Sequence, residues 1–163
     1  MPNRPTSAHI KAIRHRTWPE RAIALEAWWL LGAARAAVLV APFRVIAARM
    51  GRTMGVAVPD LTAEQQVAAI KVEWAVAAAA ARTPWTSNCL ARAVAATIML
   101  RRRRVPSTLY LGVAKSAGDG ERLQAHAWVR CGTCIVTGAS EAARFSALAS
   151  FASGPTIADR QPR

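Results

Sequence analysis

Acidic residues are scarce in this chain. Nine Asp and Glu stand against 22 Lys and Arg, a net charge of +13 over 163 residues. That imbalance favours acidic partners (nucleic acid, an anionic membrane surface or an acidic peptide) without choosing among them, and a solvated basic face accounts for it equally well. Aromatic residues are few at 6%. Histidines and cysteines number three each, and the odd cysteine count excludes a fully paired disulfide framework. Residues 1–20 alternate charge and polarity with no apolar h-region, so a reducing, cytoplasmic setting with free thiols is expected. Cys131-Gly-Thr-Cys134 has CxxC spacing, but there is no second CxxC, and His9 and His15 lie far upstream. That inventory does not assemble a four-ligand zinc site. Gly132-Thr133 reads instead as a hairpin turn between two strand thiols. Neither a metal nor an organic cofactor is expected, and there is no internal repeat.

Apolar residues are plentiful at 53%, enough to bury a core in one domain with an added helical layer. Residues 1–60 read as an N-terminal helical region packing on the core, 61–153 as the core itself and 154–163 as a disordered tail, with fraying also expected over Met1 to Thr6. The stretch Ala22 to Phe43 is long enough to span a membrane, but Glu26 and Arg35 interrupt it. Each charge near a helix centre costs about 2.5–3.5 kcal/mol on insertion, so a spanning helix is disfavoured and a buried or interfacial one is expected.

Trp18-Pro19-Glu20 marks a helix start, with Pro in the first turn and an acid beside the positive end of the dipole. Pro42 breaks that helix, and a basic segment, Phe43 to Arg52, follows. Asp60 or Thr62 caps a second long helix running to about Arg82. Thr83-Pro84-Trp85-Thr86-Ser87 interrupts, and a third helix runs from near Asn88 to Arg103 with Leu90, Val94, Ile98 and Met99 on one side. After Val105-Pro106 the rhythm becomes alternating: Thr108 to Val113, Leu123 to Arg130 and Cys134 to Thr137 read as strands, with a turn over Ala114 to Glu121. Ser140 to Phe151 reads as a short helix or an irregular return. Helices followed by a strand meander define an α+β fold.

Cys89 opens the third helix. Unpaired N–H groups and partial positive charge at a helix N-terminus stabilise an anion such as a thiolate, and can also hold the oxyanion of a tetrahedral intermediate. A base is needed, and His126, in Gln124-Ala-His-Ala-Trp128, is the only histidine inside a predicted element. Strand alternation puts His126 and Trp128 on one face, and Ala125 and Ala127 on the other. A helix-start thiol facing a strand imidazole is the arrangement of papain-like and transglutaminase-like cysteine peptidases. Asn88, Ser87 and Thr86 are candidate caps and oxyanion donors, and Trp85 walls a substrate groove or packs the helix start. Arg92, one turn beyond Cys89, supports the thiolate or an ion pair. Arg101 to Arg104 contact an acidic partner or end a solvated helix, and Trp28 and Trp29 serve the core, a partner or, as the lesser alternative, a membrane surface.

Pro84-Trp-x-x-x-Cys-Leu-x-Arg-Ala93, the run ending in Arg-Arg-Arg-Val-Pro106, Leu-Tyr-Leu-Gly-Val113 and Ala-His-Ala-Trp-Val129 together resemble the lasso-peptide biosynthesis leader peptidases, the protease half of the B-type maturation proteins in the transglutaminase-like superfamily. The likeness covers Trp85 to about Gly138. It implies a transglutaminase-like core in which a nucleophile helix packs on an antiparallel sheet. It also implies a hydrolase that removes the leader of a ribosomally made precursor through a Cys89 acyl-enzyme. The partners it implies are the precursor peptide, a separate leader-recognition element and an ATP-dependent lasso cyclase, with no nucleic acid. The family places an Asp on the strand after the histidine to orient the imidazole, and here that position is Gly138. Glu141 is the first candidate to replace it; Asp119, Thr137 and a backbone carbonyl are the others. A non-catalytic basic binding or scaffold protein, or an acyl transferase on the same fold, are the competing expectations.

Overall fold

The computed structural model describes residues 18–53, 60–85, 87–115 and 123–154. The chain tails, the connector Val56 to Pro59, Thr86 and Asp119 lie outside these residues. Helix α1 spans Trp18–Val40, α2 Phe43–Met50, strand β1 Arg52–Thr53, α3 Ala63–Ala80 and α4 Cys89–Arg102. Strands β2 (Ser107–Lys115), β3 (Leu123–Cys131) and β4 (Cys134–Thr137), the single turn α5 (Ala139–Ala142) and β5 (Ser146–Ser153) follow. The α+β architecture read from the sequence is the one observed.

Local chemistry sets the helix ends. Thr62 and Gln65 form a reciprocal capping box at α3, each side chain bonding the other's backbone N–H. Asn88 caps α4, its Oδ1 accepting from the Ala91 N–H at 2.8 Å. Helix α4 ends in a Schellman arrangement, with Val105 N–H on the Leu100 carbonyl and Arg104 N–H on that of Arg101. Arg104 holds the left-handed position at φ 55, where glycine is usual, and Pro106 then prevents helical continuation.

The sheet order is β1-β5-β2-β3-β4, all pairs antiparallel. The β2-β3-β4 meander is the expected one, but Ser140 to Phe151 is not a mere return. It begins with the short helix α5, as one of the two expectations had it, but from Ser146 the chain forms an interior strand, Ser146–Ser153, between β1 and β2. Small Ala and Ser residues give that segment little intrinsic strand preference, and pairing with β2 decides its state.

Helices α1, α3 and α4 pack on one another, and α4 lies on β2, β3 and β4. Ala27, Leu31 and Ala34 of α1 join Val72 and Val76 of α3, Val94 and Leu100 of α4, and Leu109, Ala127 and Val129 of the sheet in one core. Helix α1 has the length and the mean hydropathy, 1.6, of a membrane span, yet one of its faces belongs to this core. Leu25, Trp29, Leu39 and Val40 remain exposed on it.

Glu26, which interrupts the apolar run, ties α1 to the end of α4: Arg103 Nη2 donates to Oε2 at 2.6 Å and Arg102 Nη1 to Oε1 at 3.0 Å. Burial opposes the charged carboxylate, but the two guanidinium groups outweigh it and hold the carboxyl below its usual range. Half of the arginine run is thus committed internally, and Arg101 also donates to the Arg49 carbonyl. Glu26→Gln is expected to cost about 2 kcal/mol at neutral pH, a Tm decrease of about 4–8 °C. Because the folded-state pKa is depressed, this stabilisation is complete above the unfolded value and is lost as pH falls through the folded one. The gap between wild type and variant in thermal melts should therefore close below about pH 4.5.

Candidate active site

Cys89 is the first residue of α4, half-buried against the apolar core. The short turn Arg103–Pro106 reverses the chain, so α4 runs back along β2. The 14 residues of the helix cover about 21 Å, and β2 needs about 20 Å from Ser107 to Val113. By these lengths the helix start is directed toward the end of β2 where Gly112 and Val113 pair with His126 and Ala125.

The faces of β3 separate as alternation predicts. Ala127 and Val129 point into the core under the helices, whereas His126 and Trp128 point to the other face. There the Trp128 ring stacks on Tyr110 with centroids 5.5 Å apart, and His126 lies 6.0 Å from Trp128 and 4.9 Å from Phe145. Strand β4 pairs only with Val129 to Cys131, so among the described residues β3 has no strand neighbour on that side at His126. The chain leaving β4 fills this edge with Gly138 and α5.

Two groups meet the imidazole there. The Gly138 carbonyl lies 3.2 Å from Nε2, within hydrogen-bond distance, and the Glu141 carboxylate is 3.9 Å from Nδ1. Gly138 sits at φ 77, and a Cβ on it would fall 2.7 Å from Nε2 and 2.9 Å from the Trp128 Cβ. The glycine at the position of the family's orienting Asp thus brings its backbone against the imidazole where no side chain fits. Sequence reasoning allowed a backbone carbonyl but had no signal for this one, because the contact depends on a left-handed turn after β4. Thr137 Oγ1 is buried and has no hydrogen-bond partner among the described residues, the imidazole included, so it does not hold the ring.

The remaining candidates separate spatially. Trp85 packs against Trp28 of α1, ring centroids 5.5 Å apart, and its Nε1 is buried with no hydrogen-bond partner among the described residues. Asn88 is committed to capping through Oδ1, Ser87 is buried and hydrogen-bonds Thr83, and Arg92 is exposed. The Cys89 thiol makes no hydrogen bond among the described residues, and because α4 packs on the Ala127–Val129 face while His126 points to the other, the structure does not bring the thiol to face the imidazole as the sequence led one to expect. No group of metal-ligating side chains occurs among those residues.

A family model described as the transglutaminase-like superfamily matches residues 27–150. The chain therefore belongs to the transglutaminase-like superfamily, whose fold commonly carries cysteine-type catalysis in peptidases and acyltransferases. No curated protein and no solved structure matches it.

Proposed function

We propose that the protein is a cytoplasmic cysteine peptidase that removes the leader from a ribosomally made lasso-peptide precursor. What supports this reading is a thiol at a capped helix start in a transglutaminase-like chain that also holds a buried imidazole within hydrogen-bond distance of a carbonyl. With the Nε2 hydrogen donated to Gly138, Nδ1 keeps its lone pair and is the base that takes the Cys89 proton. The sulfur attacks the scissile carbonyl, and the imidazolium protonates the leaving amine. Water then attacks the thioester carbon, His126 again taking a proton, and the carboxylate and free thiol are regenerated. The reaction requires thiol and imidazole to come together when substrate binds, since catalytic contacts often tighten only in the Michaelis complex. Backbone N–H groups at the α4 start, with the buried Trp85 indole and Asn88 as nearby candidates, serve the oxyanion. A separate leader-recognition element delivers the precursor and an ATP-dependent cyclase consumes the product.

Glu141 is the proposed third member, its carboxylate stabilising the imidazolium charge from 3.9 Å rather than holding the ring through the nitrogen opposite the base. Its side chain is 52% exposed, so Glu141→Gln should lower kcat/KM by no more than about fivefold. A loss above about 100-fold would make this carboxylate, rather than the Gly138 carbonyl, the main orienting group.

A second reading is favoured by the missing carboxylate at Gly138 and the unengaged thiol: a non-catalytic basic scaffold of a maturation complex. Precursor incubated with the recognition element and wild-type protein, Cys89→Ala or His126→Gln separates them by mass spectrometry. Leader release by wild type alone supports the peptidase, and release by Cys89→Ala excludes it. Binding without release supports the scaffold, and transfer of the acyl group to an added amine supports an acyl transferase.

A further inference from the structure

Cys131 and Cys134 close the β3–β4 hairpin and are direct cross-strand partners. Gly132, at φ 54, takes the first central position of the two-residue turn, as a type II′ turn requires. Directly opposed antiparallel residues have Cα atoms about 4.5–5.5 Å apart and side chains on the same face. That separation falls within the window of about 4.4–6.8 Å that a disulfide bridges. The environments of the two thiols differ sharply. Cys131 is completely buried and its thiol is pushed up to about 12 by burial and by the neighbouring Cys134. Cys134 is exposed.

We propose that Cys131 and Cys134 form a reversible modification site, converted to an intramolecular disulfide by small-molecule disulfides such as oxidised glutathione. The exposed Cys134 thiol loses its proton and attacks one glutathione sulfur. The glutathione S–S bond breaks, the expelled glutathione takes up a proton, and a mixed disulfide remains on Cys134. Cys131, adjacent in register, then loses its proton and attacks the Cys134 sulfur. The protein S–S bond forms, and the second glutathione leaves as a thiol. Two protein thiols are oxidised and one glutathione disulfide is reduced. Opposed Cβ atoms lie about 4.5–5.5 Å apart in such pairs, whereas a disulfide prefers about 3.8 Å. The strands must draw together, which makes the bond strained and easily reduced, as a reversible modification requires.

The test uses full-length native protein in the Cys89→Ala background, so that the only other thiol does not compete. After exposure to oxidised glutathione, remaining thiols are alkylated and the protein is digested with trypsin. Cleavage after Arg130 and Arg144 leaves both cysteines in peptide 131–144. That peptide should be lighter by two hydrogen atoms, carry no alkyl group, and regain two alkylation sites after dithiothreitol. Cys134→Ser should prevent glutathione from reaching Cys131. Glutathione remaining on Cys134 with Cys131 alkylated, two alkylated thiols, or a disulfide that forms only in denaturant would each overturn the proposal.

Discussion

Leader release by Cys89→Ala is expected to fall by at least about 10³-fold in kcat, because no other group in the chain replaces the nucleophile. The fold should survive. Cys89 is only half-buried at the first turn of α4, and the Asn88 cap that starts the helix is untouched. Losing one sulfur atom costs less than about 1 kcal/mol, a Tm change within about 4 °C. Activity and melting temperature should therefore separate completely. His126→Gln should lower kcat by about 10²–10⁴-fold, the range that general-base catalysis contributes, and should abolish the limb of the pH–rate profile that reports the base. If His126→Gln retained full activity and an unchanged profile, the imidazole would belong to the Trp128–Phe145 aromatic cluster and to nothing else.

Gly138→Asp restores the residue type that the resemblance leads one to expect, and it is nevertheless expected to inactivate the protein. The backbone at φ 77 costs an L-residue about 1–2 kcal/mol, somewhat less for Asp than for most. The clash is the larger effect. A Cβ there lies 2.7 Å from His126 Nε2, 2.9 Å from the Trp128 Cβ and 3.0 Å from the Ala127 carbonyl oxygen. The last is backbone inside the sheet, so the turn and the imidazole must yield. A displacement of about 1 Å at a catalytic group typically costs about 100-fold in rate, and a loss of that order or more is expected. Gly138→Ala should fail similarly, because the obstruction begins at Cβ. Higher kcat/KM for Gly138→Asp than for wild type would show that the imidazole needs a carboxylate and that the Gly138 carbonyl does not position it.

Where a feature depends on a few neighbouring residues, the sequence was sufficient. Asn88 before Cys89 starts a helix because a side-chain acceptor three residues ahead of an N–H satisfies it in any context. The alternation of Ala125 to Val129 separates His126 from Ala127 because successive strand side chains must point to opposite faces. Gly132-Thr133 turns because glycine accepts φ 54 without strain. The matched family agrees with the resemblance at the level of the superfamily, and leader removal from a lasso precursor stands as the proposal to be tested. Features set by distant segments were not legible. Ser146–Ser153 becomes a strand only because the open side of β2 supplies hydrogen bonds that its own residues do not demand. Glu26 looked like an interruption of an apolar run until α4 brought Arg102 and Arg103 beside it. Gly138 looked like a missing carboxylate, and the fold turns it into a carbonyl placed where a side chain has no room. Caps, turns and alternation are local consequences of backbone geometry, whereas strand pairing, ion pairing and the setting of the imidazole depend on which surfaces the packed core leaves adjacent.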